Sequence, residues 1–243
     1  MGSPDVTELG YSFGNVAETY HRVRPPYSQR LLDRAQEALE LGAGAHVLDL
    51  AAGTGRLTQE LARRFAHVVA VEPDERMRAV HGGALAGSAE AIPLDDGSVD
   101  AVFVGEAFHW FDAAAAIPEL VRVLRSRGGL AIVSTYWWET EPPLPAAALE
   151  VLSEPYQRSL PRRRPPWDDA FAASPFEPLS YERATDEVTV GADELLTLYS
   201  TTSSLAALPG DERVALLARV RPLLGDSYRL PLRHELTWTR LSS

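Results

Sequence analysis

Residues 46–56, His-Val-Leu-Asp-Leu-Ala-Ala-Gly-Thr-Gly-Arg, constrain the fold of this chain more than any other stretch. The apolar residues Val47, Leu48 and Leu50 predict a short buried strand, and the small residues after it predict a tight turn. A helix is expected to begin at Arg56, with its first backbone N–H groups available to a ligand. Open α/β sheets bind nucleotides with a strand, a glycine turn and a helix in this order. The chain is therefore predicted to hold a nucleotide-like ligand at the end of its first strand.

Apolar strand segments and helical segments alternate from residue 46 to residue 135. Further strands are predicted at residues 67–71, 84–88, 99–104 and 130–135. Asp74 is expected to cap one of the intervening helices and Asp112 another, which would run to about Arg127 and end at Gly128-Gly129. This alternation predicts a parallel sheet with helices on both faces.

Residues 137–180 break this alternation because they are rich in proline and tryptophan. The segment is too apolar for a linker, so we interpret it as a lid-like insertion over the strand ends. Two closing strands are predicted at residues 182–190 and 230–241, with two helices, at about 193–204 and 211–224, between them. A length of 243 residues suits one large α/β domain or one domain with a lid.

Composition excludes several classes of protein. The formal charge of −11 argues against a nucleic-acid groove, which would be basic. No apolar run approaches the ~20 residues of a membrane span, and no N-terminal targeting signal is recognisable. The chain has no cysteine, and its six histidines include no pair at metal-ligand spacing, so no metal site is predicted. We expect a cytoplasmic protein that binds a small molecule; the sequence does not indicate its oligomeric state.

Two classes of ligand fit the glycine turn. A dinucleotide dehydrogenase needs Gly-x-Gly-x-x-Gly, in which the third glycine allows close helix packing. Gly53 and Gly55 match the first two glycines, but Thr58 occupies the third position. Asp49 lies four residues before Gly53, where such enzymes usually have an apolar residue. The turn alone is weak support for either class, so the neighbouring stretches decide between them.

Six stretches in the same order resemble the class I S-adenosylmethionine-dependent methyltransferases, and within them the type 11 small-molecule subgroup. They are residues 20–27, 49–55, 71–73, 87–94, 105–112 and 119–129. The resemblance covers about residues 13–241. One departure is Ala51, which stands where the first glycine of the turn is usual. Its small side chain is expected to narrow the turn without closing it.

The resemblance implies S-adenosylmethionine as cofactor and S-adenosylhomocysteine as product. Arg24 is expected to pair with the methionine carboxylate, Glu72 to accept the ribose hydroxyls, and Met77 to lie against the adenine. The alternatives are a solvated strand end for Glu72, core packing for Met77 and contact through the backbone alone for Glu106. The residues that the resemblance places at the cofactor are Tyr20, Arg24, Asp49, Ala51, Gly53, Gly55, Glu72, Pro73, Met77, Ala89, Glu90 and Glu106.

The resemblance also implies a fold. It is an α/β, Rossmann-like, doubly wound and mostly parallel seven-stranded sheet with an antiparallel last strand and a lid-like insertion. Residues 1–243 would form a single methyltransferase domain. Within it, residues 13–41 would be an N-terminal helical cap over the cofactor, and residues 137–180 a substrate-side insertion.

Methyl transfer demands little of the protein beyond holding a nucleophile in line with the activated methyl group. His109 is the candidate base for an acceptor that must lose a proton, because a histidine titrates near neutral pH. Its alternative role is to pack or to hydrogen-bond within its own segment. Four aromatic residues are candidates for an acceptor pocket, with core packing or anchoring of the insertion as the alternative: Trp110, Tyr136, Trp137 and Trp138.

We therefore predict a methyltransferase that moves a methyl group from S-adenosylmethionine to a small-molecule acceptor. The alternative is a protein of the same fold that binds the cofactor without transferring its methyl group, as a regulator or as a catalyst of cyclisation or rearrangement. The acceptor, and whether it is methylated on oxygen, nitrogen, carbon or sulfur, cannot be read from the residues.

Overall fold

A computed structural model describes residues 12–137, 144–158 and 167–242 of the chain. Its seven strands form one sheet in the order β3-β2-β1-β4-β5-β7-β6. The strands are β1 His46–Leu50, β2 His67–Glu72, β3 Leu85–Ala86, β4 Val99–Gly105, β5 Leu124–Tyr136, β6 Ser180–Gly191 and β7 Ser227–Arg240. This order and the alternation with helices confirm the predicted Rossmann-like α/β fold.

Helices occupy most of the chain between the strands. They are α1 Ala17–Val23, α2 Gln29–Ala38, α3 Arg56–Ala62, α4 Glu75–His81, α5 Ala113–Val123, α6 Ala146–Arg158, α7 Trp167–Ala172, α8 Ala192–Ser200, α9 Ser203–Ala206 and α10 Gly210–Val220. Short 3₁₀ segments lie at Ser12–Val16, Phe108–Trp110 and Arg221–Leu223. Among the described residues, no helix is long and apolar enough to cross a membrane.

The first five strands are parallel, so their carboxyl ends meet at one edge of the sheet. Strand β1 pairs with β2 on one side and with β4 on the other. The chain runs from β1 outward to β2 and β3 and then returns to β4, which places a topological switch point between β1 and β4. The last strand, β7, is antiparallel: the amide of Leu241, just after its end, donates to Gly128 O near the start of β5.

The chain divides into two compact units. The first, which we term the sheet unit, comprises the described parts of Pro26–Thr135, Arg164–Ala184 and Arg233–Ser243. The second, which we term the helical unit, comprises those of Met1–Pro25, Tyr136–Arg163 and Thr185–Leu232. The predicted cap at 13–41 and the predicted insertion at 137–180 each have residues in both units. Their roles as cap and insertion stay predictions.

Each unit has its own apolar core. In the sheet unit, Leu48, Val102 and Leu130 belong to one fully buried cluster, and Leu61, Phe103 and Leu236 belong to another. In the helical unit, buried residues of α8 pack with those of α6 and α10 and with Trp137. Burial of this kind is the main favourable contribution to folding.

Two predicted helix caps are confirmed. Asp74 Oδ1 accepts from the amides of Arg76, at 2.7 Å, and Met77, at 3.2 Å, so Asp74 is the N-cap of α4. Asp112 Oδ1 accepts from the amide of Ala114 at 3.1 Å and begins α5. These bonds satisfy backbone donors that a helix leaves unpaired in its first turn.

The predicted end of the Asp112 helix is wrong. Helix α5 ends at Val123, and Leu124 is already extended and paired with Val99 of β4. The register then shifts, and the next pair joins Ala101 to Gly129. Gly128 and Gly129 therefore lie within β5 instead of stopping a helix. A Cβ on Gly129 would come within 2.4 Å of Leu39 Cδ2, so close packing explains this glycine.

Candidate functional site

The carboxyl edge of the parallel strands gathers most of the predicted site residues of the sheet unit. Ala51 follows β1 directly, Glu72 ends β2, and Glu106 follows β4. Ala89 and Glu90 come shortly after β3. Ligands of open α/β sheets bind at this edge, beside the switch point between β1 and β4.

Glu72 is held by two backbone amides. It is 6% exposed, and its Oε2 accepts from Gly53 N at 2.8 Å while its Oε1 accepts from Asp74 N at 2.8 Å. Burial raises the pKa of its carboxyl group, and the bonds from Asp74 and Gly53 oppose that effect. A carboxylate has about four lone-pair sites, so each oxygen can still accept a further hydroxyl. This geometry does not match the alternative of a solvated strand-end acid.

Asp49 is a second buried carboxylate, at the end of β1. Thr58 Oγ1 donates to its Oδ2 at 2.5 Å, whereas its Oδ1 is buried and has no hydrogen-bond partner among the described residues. Burial raises the pKa of Asp49 to about 7, and the nearby Glu72 carboxylate acts in the same direction. A buried acceptor without a donor is costly, and it indicates a place for a donor from a ligand or water.

The turn after β1 uses the left-handed backbone region three times, with φ of 56° at Ala51, 56° at Gly53 and 84° at Gly55. Glycine adopts this conformation freely, but a side chain makes it unfavourable, so Ala51 strains the turn. The two glycines also differ. A Cβ on Gly53 would meet nothing within 4 Å, whereas one on Gly55 would lie 2.9 Å from His81 Cδ2. Gly53 thus borders open space, and Gly55 packs against a histidine ring that sequence reasoning missed.

Two further predicted cofactor residues, Pro73 and Met77, lie at the start of α4. Met77 is buried, and its amide is bound to the Asp74 cap. Pro73 O accepts from Arg78 Nη1 at 2.6 Å, which fixes the backbone between β2 and α4. The burial of Met77 fits core packing, and its contact with the adenine stays a prediction.

The segment after β3 is fixed by two residues that the sequence analysis did not assign a role. Glu119 Oε2 accepts from Ile92 N at 2.8 Å, and Arg122 donates to Ile92 O and to Leu94 O. Glu119 and Arg122 also form an ion pair with each other on α5, at 2.7 Å, and hydrogen bonding to Arg122 lowers the pKa of Glu119. Their spacing of three residues on one helix face was the signal available in the sequence.

The same segment contains two predicted cofactor residues. Ala89 is buried in a core cluster of the sheet unit. Glu90 Oε1 accepts from the amide of Asp112 at 3.0 Å, which ties the segment to the start of α5. Neither contact tests the predicted approach to the adenine.

Glu106 is the strained residue after β4, with φ of 58°. Its amide donates to Val133 O at 3.0 Å, and its carboxylate accepts from the amide of Thr135. Glu106 therefore bridges the ends of β4 and β5. Strained residues of this kind persist where the surroundings enforce them, and they cluster at functional sites.

His109 and Trp110 lie in the 3₁₀ segment Phe108–Trp110 that follows. Both are half-buried, and their ring centroids are 4.9 Å apart. Trp110 also packs partly against the core cluster that contains Phe108. The roles of His109 as base and of Trp110 as pocket wall stay predictions.

The helical unit brings together Tyr20, Arg24 and Trp137. The Arg24 guanidinium carbon lies 4.6 Å from the centroid of Tyr20 and 5.8 Å from that of Trp137, and Arg24 Nη2 donates to Thr201 O at 2.5 Å. Trp137 is 1% exposed, and its ring meets Tyr199 edge-on at 4.9 Å. Trp137 therefore makes the packing contacts of a core residue.

The remaining predicted aromatics lie on either side of Trp137 in the chain. Tyr136, the last residue of β5, is half-buried. Trp138 lies outside the described residues. Substrate contact by either one stays a prediction.

Comparisons with known proteins identify the family of this chain. A family profile described as a methyltransferase domain matches residues 48–132. An uncharacterized methyltransferase of Mycobacterium tuberculosis is 46% identical over 139 residues, which are 55% of this chain and 54% of that protein. The chain thus spans about half the length of that relative.

A longer match exists with an uncharacterized methyltransferase-like protein of Schizosaccharomyces pombe. It is 30% identical over 210 residues, which are 83% of this chain and 81% of that protein. Among solved structures, a protein assigned as a type II methyltransferase from Anaeromyxobacter dehalogenans has the same fold, with a TM-score of 0.60, 23% identity and coverage of 89% of this chain and 97% of that chain. The chain therefore belongs to the class I S-adenosylmethionine-dependent methyltransferase family.

Proposed function

We propose that this protein transfers the methyl group of S-adenosylmethionine to a small-molecule acceptor. The observation that carries the proposal is Glu72, a buried carboxylate at the end of β2 whose oxygens are fixed by the amides of Gly53 and Asp74. A carboxylate in this place on an open α/β sheet suits two ribose hydroxyls. The family to which the chain belongs supports the same cofactor.

The residues at the carboxyl edge fit this cofactor. Glu72 has lone pairs left for hydroxyls, Asp49 Oδ1 is a buried acceptor without a donor, and Gly53 borders open space. The two carboxylates also suit a ligand that carries positive charge. We propose further cofactor contacts from Ala51, Gly55, Pro73, Met77, Ala89, Glu90 and Glu106 and, on the resemblance alone, from Tyr20 and Arg24 of the helical unit.

When bound, the cofactor supplies a methyl group that its sulfonium has already activated, and in-line displacement by the acceptor leaves S-adenosylhomocysteine. The protein's part is to hold the acceptor in line and to exclude water. We propose that a ring nitrogen of His109 takes the proton of an acceptor that must lose one. From their places in the sequence, we propose that Trp110, Tyr136 and Trp138 each contact an apolar acceptor, whereas the buried packing of Trp137 on Tyr199 favours its alternative role in the core.

The first test is calorimetric titration with S-adenosylmethionine and S-adenosylhomocysteine, followed by a screen of acceptors with a labelled methyl donor. Micromolar binding of both ligands and labelled product are expected. Binding of a nicotinamide dinucleotide with no affinity for S-adenosylmethionine would overturn the proposal. Turnover of a substrate without formation of S-adenosylhomocysteine would instead favour the alternative of a cyclase or rearrangement catalyst.

The second test addresses His109. In the His109→Ala variant, turnover of the acceptor found by the screen should fall by at least ~100-fold, the usual contribution of a positioned base. Its affinity for S-adenosylhomocysteine should stay unchanged. His46→Ala, at the opposite end of β1, is the matched control and should keep full turnover. Near-normal turnover by His109→Ala would remove this residue from the mechanism.

A further inference from the structure

A chain of hydrogen bonds leads from the buried carboxylate of Asp49 to a histidine on another element. Thr58 Oγ1, on α3, donates to Asp49 Oδ2 at 2.5 Å, and the same oxygen lies 3.0 Å from His81 Nε2, at the end of α4. Gly83 N donates to the other ring nitrogen, His81 Nδ1, at 3.2 Å. The three side chains thus link β1, α3 and α4.

The donors at the two ends fix where the hydrogens are. The single hydroxyl hydrogen of Thr58 points to the carboxylate, so Thr58 Oγ1 must accept from His81 Nε2. His81 Nδ1 faces the amide of Gly83 and must accept as well. The arrangement therefore requires the neutral imidazole with its hydrogen on Nε2. A hydrogen on Nδ1 would face the N–H group of Gly83, so two donors would meet without an acceptor.

The packing of the histidine ring leaves it little freedom. Its Cδ2 would be 2.9 Å from a Cβ on Gly55, so the ring fills the space that the missing side chain leaves. The ring thus lies against the glycine turn and at the end of the hydrogen-bond chain. A change at His81 would reach both the turn and Asp49.

The charged groups around Asp49 do not offset its burial. Glu72 on β2 is the carboxylate whose charge acts on it. Asp74, which lies beside Glu72, is also acidic, and the Arg78 guanidinium is bound to the carbonyls of Glu72 and Pro73. Hydrogen bonds from Thr58, the stronger from its hydroxyl and a weaker one from its backbone amide, stabilise the charged form of Asp49.

We propose that Thr58 and His81 are positioning residues that hold Asp49 ready in its ionised form, and that cofactor affinity depends on pH through this chain. The inference rests on the proposed function, since it needs a cofactor with cationic groups. Such a ligand stabilises the ionised carboxylate, so binding below neutral pH releases a proton from Asp49. Affinity rises with pH and levels off above the pKa of Asp49, which burial raises to about 7.

The main experiment is calorimetric titration with S-adenosylhomocysteine from pH 5.5 to pH 8.5. The loss of one hydrogen bond to a charged group is worth about one pKa unit or more, so Thr58→Val should bind about tenfold more weakly at pH 7 and within about threefold of wild type at pH 8.5. Thr58→Ser keeps the hydroxyl and should behave as wild type. Thr197→Val, on α8 of the helical unit, is the matched control and should change nothing.

Two further measurements test the chain apart from turnover. At pH 6, titration in two buffers of different ionisation enthalpy should reveal release of about one proton by the wild type and none by Asp49→Asn. The nitrogen chemical shifts of His81 should report the neutral form with hydrogen on Nε2, with or without ligand. His81→Phe keeps the ring volume, removes the donor, and should shift the pH dependence in the same direction as Thr58→Val.

The outcomes separate this inference from the proposed function. A wild-type protein that binds neither S-adenosylmethionine nor S-adenosylhomocysteine overturns both. Binding that is equal at pH 5.5 and pH 8.5 overturns the inference alone. So does a Thr58→Val variant that is weakened equally at every pH, because a merely structural role would act in that way. A His81 ring with hydrogen on Nδ1 contradicts the hydrogen-bond chain directly.

Discussion

The two units differ in the carboxylates that they bury. Among the described residues, both units bury hydroxyl side chains, and the sheet unit also buries the carboxylates of Asp49, Glu72 and Asp74. Two hydroxyls of the helical unit are satisfied locally: Thr201 Oγ1 donates to Leu198 O at 2.7 Å and Thr202 Oγ1 to Tyr199 O at 2.8 Å.

The buried hydroxyls of the helical unit are explained by packing, whereas the buried carboxylates of the sheet unit indicate ligand binding. A hydroxyl that bonds to a carbonyl three residues earlier completes a turn and demands nothing else. A buried carboxylate is costly, and Asp49 keeps one oxygen without a partner among the described residues. Buried carboxylates with a raised pKa are common at functional sites. The sheet unit therefore carries features of a binding site that the described contacts of the helical unit do not share.

The largest effect should come from the core of the helical unit. Trp137→Ala removes a 1% exposed side chain that packs on Tyr199, and it should lower the free energy of unfolding by about 3–5 kcal/mol in urea denaturation. Trp137→Phe, which keeps an aromatic ring, should lose less. A loss below about 1 kcal/mol for the alanine variant would mean that Trp137 is not a packing residue and would weaken the contrast between the units.

Next in size is Glu72→Gln in the sheet unit. In the variant, an NH₂ group replaces one of the two carboxylate oxygens that accept from the amides of Gly53 and Asp74, and the negative charge is lost. The affinity for S-adenosylhomocysteine, measured by calorimetry, should therefore fall by at least about 100-fold. Glu75→Gln, an exposed neighbour in the first turn of α4, is the control and should bind as wild type. Equal weakening of both variants would contradict a specific role for Glu72, and thermal unfolding of each variant checks that it is folded.

A smaller effect, on stability alone, is expected from Asp49→Asn. The pKa of Asp49 is raised to about 7, so the folded state holds a proton that the unfolded state has released, and this carboxyl makes the protein less stable as pH rises from 4 to 7. Between pH 5 and pH 8 the wild type should lose on the order of 2 kcal/mol that the variant keeps. Denaturation of the ligand-free proteins at both pH values measures the difference. The same pH dependence in the variant would assign it to another group.

The smallest effect concerns the strained turn. Ala51 has a φ of 56°, where glycine is more favourable, so Ala51→Gly should raise the free energy of unfolding by up to about 1 kcal/mol. Thermal unfolding measures the change. Ala206→Gly, in the short helix α9 of the helical unit, should have the opposite sign because glycine weakens a helix. A destabilised Ala51→Gly variant would show that the turn is not strained at this residue.

Local patterns predicted the part of the fold that depends on neighbours in sequence. The strand at β1 and the caps at Asp74 and Asp112 came from apolar runs and from single capping residues, and the structure has each of them. The end of α5 could not be read in this way, because Leu124 leaves the helix to pair with Val99 of a distant strand. The glycine at 129 was misread for the same reason, since its neighbour Leu39 is remote in sequence.

In the site, too, local features were predicted from the sequence and contacts between distant residues were not. Glu72 was predicted to end a strand, and it does, but its bond to Gly53 depends on how β1 and β2 align. The contact of Thr58 with His81 joins residues 23 positions apart, and no periodic pattern connects them. Arg24 was assigned from the resemblance and Trp137 from its place after β5, and the contacts of Arg24 with the rings of Tyr20 and Trp137 emerge only from the folded helical unit.

The fixed carboxylate of Glu72 also bears on how quickly a ligand can enter. Two backbone amides already hold both of its oxygens, so the side chain has no rotamer freedom left to lose, which avoids a cost of about 0.5–1.5 kcal/mol on binding. Association at this carboxylate then need not wait for a conformational step. Among cofactor analogues that differ in their hydroxyl groups, differences in affinity should therefore arise from residence time, with nearly constant association rates.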